Sequence, residues 1–232
     1  MSKGSGGGAG PRGNESGGNK TQGKTGEGRK GVEVSNRSLK AGRNFFGSDV
    51  RLADIANAVE GGKLSARLEG GKLVLRSNFA GVEADRIITR ENGELVAHNE
   101  FFGISERSKF KGQGAALFAR QAAALQAAGV SRIVTTAAGS FNNQFGFNGY
   151  YTWARMGYDG AVPHGTWDNL PQGMRAKMGA SRSVQDLMAL PGGKEAWKQH
   201  GATFKGTFSL RHGSRSQKVL AAYMKERATR GK

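Results

Sequence analysis

The sequence predicts a mixed α/β (α+β) fold, and two patterns along the chain indicate it. Between residues 64 and 104, short runs rich in β-forming residues are separated by glycine and asparagine turns, which is typical of an antiparallel meander. The last of these runs, Glu94–Ile104, precedes an Ala-rich helix and a buried strand. Strand, loop, helix and strand in this order predict a right-handed crossover that follows the meander.

Local signals predict the elements before the crossover. Ser48 is placed to cap a helix over Asp49–Glu60, which two glycines end. Asn92-Gly93 is the strongest hairpin signal in the chain, and it leads into the long strand. Three shorter strands are predicted between the helix and this hairpin, at 64–68, 72–76 and 84–90.

The crossover and the later elements are predicted from periodicity. A helix over 114–128 carries Phe118 and Leu125 on its apolar face and ends at Gly129, and Val130–Thr136 is the buried strand that follows. Ser214 and Gln217 form a capping box for the last helix. The predicted C-terminal elements are helices near 184–190 and 194–200, a strand at 203–210 and the helix 215–227.

Composition excludes several classes of protein. The 232 residues include no cysteine, which excludes a disulfide scaffold, thiol catalysis and a thiolate metal site. The longest apolar runs are far shorter than the ~20 residues that cross a bilayer, and the N-terminus lacks the apolar segment of a signal peptide. We therefore expect a cytoplasmic protein without a membrane span, and we expect no metal, because the histidines lack ligand spacing.

The charge of +17 is concentrated at the two ends of the chain. Residues 1–44 carry nine Lys and Arg against three Asp and Glu, residues 45–174 carry 13 against 12, and residues 175–232 carry 13 against three. A nearly neutral centre with basic ends indicates a globular domain whose extensions face an anionic partner, such as nucleic acid or an acidic protein. Solvated basic side chains that aid solubility are the alternative interpretation.

These shifts in composition predict three segments. Residues 1–31 hold 12 glycines and few apolar side chains, so they cannot bury enough surface to offset their ordering entropy. We predict a disordered Gly-rich basic tail over 1–43, a domain over 44–162, and a basic C-terminal extension over 163–232 that packs on the domain. The sequence does not indicate an oligomeric state.

One loop carries the pattern of an anion site. Phe110–Phe118 lies between the long strand and the Ala-rich helix, and it contains two glycines and two alanines. Small residues allow a ligand to approach the backbone closely, and the first amides of the helix have no partner within the helix. A pyrophosphate suits such a helix start, and Lys111 adds a positive charge beside it.

Here the sequence resembles the GNAT superfamily of N-acetyltransferases. The acetyl-CoA loop of that family has the pattern [Gln/Arg]-x-x-Gly-x-[Gly/Ala], where x is any residue. Lys111-Gly112-Gln113-Gly114-Ala115-Ala116 fits it with Lys in the first position. The ending Asn148–Tyr158 is similar to the family's Gly-aromatic ending, and the order of elements agrees. The resemblance covers roughly residues 45–160.

The resemblance implies a fold, a co-substrate and a site. The fold would be a mixed, mostly antiparallel sheet with helices on both faces, and acetyl-CoA would be the co-substrate for transfer of an acetyl group to an amine. The strand end would pair with the pantetheine arm, and the loop amides would hold the pyrophosphate. The implied cofactor-binding residues are Phe102, Gly103, Ile104, Lys111, Gly112, Gln113, Gly114, Ala115 and Ala116.

One departure from the family bears on catalysis. The family commonly has a Tyr four residues before the Gly-aromatic pair, where it protonates the leaving thiolate, whereas this chain has Trp153. An indole cannot act as an acid near neutral pH. Tyr150 and Tyr151 lie close along the chain and are the substitutes we predict. Glu100 on the long strand is the predicted general base, with a solvent-facing strand carboxylate as its alternative interpretation.

Three interpretations of function remain open at this point. The first is an active N-acetyltransferase with an unknown acceptor. The second is a catalytically inert GNAT-fold structural or interaction module that has lost the Tyr. The third is a basic accessory protein associated with nucleic acid, such as a phage virion protein, since the Tyr-x-Trp-x-x-x-Gly-aromatic pattern of Tyr151–Tyr158 resembles acetyltransferase-like segments in phage and mobile-element proteins.

Overall fold

The sheet of the protein has seven strands in sequential order, in a computed structural model that describes residues 31–141 and 147–230. The pairs β1·β2 and β5·β6 are parallel and the others are antiparallel. The predicted meander and crossover are thereby confirmed. The strands are β1 Glu33–Val34, β2 Lys63–Glu69, β3 Lys72–Phe79, β4 Val82–Glu91, β5 Glu94–Ile104, β6 Val130–Ala137 and β7 Phe204–Ser209.

Nine helices accompany the sheet in the described part of the chain, which confirms the α+β class. Six of them follow β6, and α3 is the helix of the crossover. The helices are α1 Asn36–Phe46, α2 Leu52–Ile55, α3 Gly114–Ala127, α4 Gly149–Arg155, α5 His164–Asn169, α6 Gln172–Met178, α7 Val184–Ala189, α8 Gly193–His200 and α9 Arg215–Arg230.

Regular structure begins earlier than the predicted tail boundary at Arg43. Strand β1 and most of α1 lie within the segment that we expected to be a tail, so that boundary is wrong for residues 33–43. The Ser35 hydroxyl caps α1 by accepting from the Ser38 amide at 3.2 Å. The predicted tail over residues 1–30 lies outside the described residues.

The buried face of α1 explains why periodicity did not reveal it. Ser38, Ala41, Gly42 and Phe45 are its buried residues, and their spacing is helical. Three of the four are small, so the segment looks polar. Gly42 packs closely against Leu52, since a Cβ on Gly42 would lie 2.6 Å from Leu52 Cδ1. Phe45 is the one large apolar side chain among the four, and it joins the hydrophobic core.

The helix predicted over Asp49–Glu60 is wrong in length, because α2 is a single short turn. The chain leaves the helix at Asn57, whose φ of 54° lies in the left-handed region. The carbonyl of Ala56 instead accepts hydrogen bonds from the side chains of Ser77, at 3.0 Å, and Arg86, at 3.1 Å. These contacts with the sheet replace further turns of helix.

Strand β4 buries one of its faces, and on the other face of the sheet Val74 and Val96 are also buried. Along β4, Val82, Ala84, Arg86 and Ile88 are buried, and the residues between them are partly or fully exposed. Helices α2 and α3 contact this buried face through the Ala56 carbonyl and the Gln121 amide. Alternation of this kind is typical of an antiparallel sheet with one solvated face.

A buried polar network links the sheet to the helices. Arg86 on β4 is 1% exposed, and burial lowers its pKa to about 9, so it remains charged at neutral pH. Beside it, the Gln121 amide of α3 donates to Asn99 Oδ1 on β5 at 2.9 Å. Asn99 Nδ2 in turn donates to the hydroxyl of Tyr158, also fully buried, at 3.3 Å. The network therefore fixes the relative positions of β4, β5 and α3.

We expect Arg86→Ala to lower the free energy of unfolding by roughly 3 kcal/mol, because it leaves buried acceptors without a donor and opens a cavity. Urea denaturation followed by circular dichroism measures this change. Arg76→Ala is the matched control, since Arg76 on β3 is 58% exposed and pairs only with a surface carboxylate. Equal effects of the two substitutions would contradict a structural role for Arg86.

Candidate cofactor-binding site

Strands β5 and β6 separate partway along their parallel pairing. The register runs from the pair Leu95 and Val130 to the pair Asn99 and Thr135, whereas β5 continues to Ile104. Beyond Thr135, β6 continues to pair with β7 only. The backbone of residues 100–104 therefore has no strand partner on the β6 side in the described part of the chain. An open strand edge of this kind can pair with an extended ligand.

A β-bulge lies where the gap begins. Asn99 pairs with Arg86 and Phe101 pairs with Asp85, so Glu100 is the extra residue on β5. Bulges are frequent next to active sites because they redirect side chains and interrupt pairing. The side chain of Glu100 is exposed and makes no hydrogen bond or ion pair with the described residues.

The loop after β5 leaves a set of amides free. The first bond of α3 runs from the Leu117 amide to the Gln113 carbonyl at 3.0 Å, and the Gln113 amide donates to Phe110. The amides of Gly112, Gly114, Ala115 and Ala116 make no hydrogen bond with the described residues. Together with the dipole of a 14-residue helix, they form a candidate anion-binding surface.

The open strand end and the free amides adjoin each other. A Cβ on Gly114 would lie 3.7 Å from Ile104 Cδ1 and 3.8 Å from Phe102 Cε1. The end of β5 and the first turn of α3 therefore adjoin each other at Gly114, whereas the predicted residue Ala115 is buried in the core. Gly112 has a φ of 81°, which favours glycine at this turn.

Two cations lie beside this surface: Lys111, which we predicted, and Arg227, which we did not. Lys111 forms an ion pair with Glu106, so its charge is partly neutralised. Arg227 of α9 donates from Nη2 to the Gly112 carbonyl at 3.0 Å. Sequence reasoning missed Arg227 because 115 residues separate it from Gly112. The only signal was the excess of basic residues at the C-terminus.

The two predicted tyrosines are not placed with Glu100. The buried Tyr150 hydroxyl donates to the Lys198 carbonyl at 2.8 Å, and burial raises its pKa. Tyr151 is half-buried, with Arg155 5.7 Å from its ring. No contact joins either tyrosine to Glu100 in the described residues.

Trp153 lies beside the gap. Its ring centroid is 6.0 Å from that of Phe102 on the open part of β5, and 5.5 Å from that of Phe118 on α3. The side chain at the position where the resemblance implies an acidic phenol thus packs against the open strand, and it is an indole. An indole N–H supplies no proton to a thiolate near neutral pH.

The described residues contain no group of three or more His, Asp or Glu side chains that could hold a metal ion. None of the helices described above is long and apolar enough to cross a bilayer. Comparison of the chain with protein families, curated proteins and solved structures gives no match.

Tyr150→Phe is expected to lower the free energy of unfolding by about 1 kcal/mol, since the Lys198 carbonyl loses its donor. Tyr151→Phe is the matched control, because its hydroxyl bonds to none of the described residues. Urea denaturation of both variants checks the prediction. A Tyr150→Phe protein as stable as the wild type would show that this hydrogen bond contributes nothing to folding.

Proposed function

We propose that the protein binds acetyl-CoA in the gap between β5 and β6 and transfers the acetyl group to an amine. The observation that carries the proposal is the open backbone edge of residues 100–104, which leads directly to the free amides at the start of α3. The resemblance of the loop to the GNAT superfamily supports the same co-substrate. Acetyl-CoA has amide groups along its pantetheine arm and a pyrophosphate at the end of that arm. It therefore matches both the open strand edge and the free amides.

The main chain would provide most of the binding. The amide groups of the pantetheine arm would pair with the backbone of residues 100–104, as an added strand does. The amides of Gly112 and Gly114–Ala116 would donate to the pyrophosphate oxygens. Since backbone groups make these contacts, binding tolerates many side chains at the same positions.

Transfer would proceed by direct attack of the amine on the thioester carbonyl. The new C–N bond forms as the C–S bond breaks, and the thiolate of CoA leaves. Glu100, exposed on the bulge, would accept the proton of the incoming ammonium group. Backbone N–H groups near Gly103 would polarise the carbonyl oxygen. Tyr151 is the predicted phenol whose hydroxyl remains available to protonate the thiolate.

A second candidate function is a binding module that holds CoA without turnover. The observation that favours it is the loss of both nearby acids: Trp153 occupies the acidic position beside the gap, and the Tyr150 hydroxyl is bonded to Lys198. The two functions share the binding site and differ only in chemistry. Binding and turnover must therefore be measured separately.

We expect Gly114→Trp to weaken acetyl-CoA binding by about 100-fold or more, because the indole would fill the space between the loop and β5. Gly114→Ala is the matched control, since a Cβ there makes only ordinary contacts with its neighbours. Isothermal titration calorimetry measures both affinities. Absence of acetyl-CoA binding by the wild-type protein would overturn the enzyme and the inert module together.

If Glu100 is the general base, Glu100→Gln should lower kcat by about 100-fold or more while the affinity for acetyl-CoA stays unchanged. Release of free CoA can be followed with a thiol reagent, because the chain has no cysteine to react with it. A panel of amino acids, polyamines and lysine peptides supplies the acceptors. Glu83→Gln on β4 is the control, as another exposed strand carboxylate. Binding without any CoA release favours the inert module.

A further inference from the structure

We propose that helix α9 forms part of the cofactor site, with Arg227 as a direct contact of the CoA pyrophosphate. This inference depends on the proposed binding of acetyl-CoA and adds a specificity-determining residue that the loop itself does not contain. The C-terminal segment would then determine whether the protein recognises the nucleotide half of the cofactor.

The position of Arg227 supports this role. Its Nη2 donates to the Gly112 carbonyl at 3.0 Å, and its Nη1 lies 3.4 Å from the Tyr223 hydroxyl. The side chain is otherwise exposed, so N–H groups of the guanidinium remain available. Since the Gly112 amide belongs to the anion-binding surface, the guanidinium lies beside the place where a pyrophosphate would be held.

Contacts between α4 and α9 hold Arg227 in place. The guanidinium of Arg155 on α4 lies 4.6 Å from the ring centroid of Tyr223, and its Nη2 donates to Glu226 Oε1 at 3.0 Å. Arg155 is only 21% exposed, so this stack is partly removed from solvent. Tyr223 and Arg227 lie one turn apart on α9, and therefore the stack that fixes Tyr223 also positions Arg227.

The local charges favour Arg227 as the phosphate contact. Lys111 is paired with Glu106, whereas the Arg227 contacts described above are with a neutral carbonyl and a hydroxyl. A planar guanidinium can make two parallel hydrogen bonds to phosphate oxygens, and bonds of this kind are among the strongest in proteins. The predicted ligand chemistry is therefore a diphosphate diester, and the acyl-pantetheine half of CoA should not need Arg227.

The test compares two ligands and three variants of the full-length chain. We expect Arg227→Gln to weaken acetyl-CoA binding about tenfold, which is the size of one charged hydrogen bond, with partial recovery in Arg227→Lys. Lys225→Gln is the matched control, because Lys225 is exposed on the same helix and makes no contact with the described residues. S-acetylpantetheine, which lacks the pyrophosphate, should bind equally to wild type and Arg227→Gln.

Two results would overturn the inference while leaving the proposed function intact. The first is an Arg227→Gln protein that binds acetyl-CoA as tightly as the wild type. The second is an equal loss of affinity for acetyl-CoA and S-acetylpantetheine, which would show that Arg227 only shapes the loop. Failure of the wild type to bind acetyl-CoA is a different result, because it overturns the proposed function itself. Thermal unfolding of each variant confirms that α9 remains folded.

Discussion

The buried guanidinium of Arg86 is the constraint on which the centre of this structure depends. It has no carboxylate partner within hydrogen-bonding distance in the described residues; its Nη1 donates to the Ala56 carbonyl at 3.1 Å, whereas its Nε has no hydrogen-bond partner there. Burial of a charge without such partners is costly, and this requirement fixes the end of α2 over the sheet. The strand neighbour of Arg86 is Asn99, the last residue of β5 that pairs with β6. The network therefore lies at the end of the gap where β5 and β6 are still paired.

The site combines a well-formed binding surface with few groups for chemistry. Binding of the proposed co-substrate would depend on the strand edge and on helix amides, whose positions follow from the backbone and are insensitive to most substitutions. Catalysis would depend on individual side chains, and here Trp153 packs against Phe102 while Tyr150 is bonded to Lys198. A fold can keep cofactor binding and lose catalysis, because binding depends on backbone groups and catalysis depends on individual side chains. The geometry thus supports the co-substrate more strongly than it supports turnover.

The sequence predicted the elements whose signals are local. The meander, the crossover helix and the last helix follow from turn residues, alternation and caps, and the structure has all of them. Helix α1 was not found in this way, because small residues such as Ser38 and Gly42 make up most of its buried face. The alternation along β4 was visible in the sequence, whereas the expectation of helices on both faces came from the family resemblance. Arg227 could not be predicted, since its contact with Gly112 depends on how distant segments pack.

The C-terminal segment completes the architecture of the gap. Strand β7 pairs with β6 as far as Ala137, beyond the point where β5 and β6 separate at Thr135. Strand β7 provides hydrogen-bond partners for the backbone of β6, so β6 can extend past Thr135 although it no longer pairs with β5 there. Helix α9, which comes directly after β7, then returns along α3 and α4 to place Arg227 at the loop. Composition suggested only a basic extension for this segment. In the structure, β7 supports β6 on one side of the gap, and α9 places the cation of Arg227 at the loop.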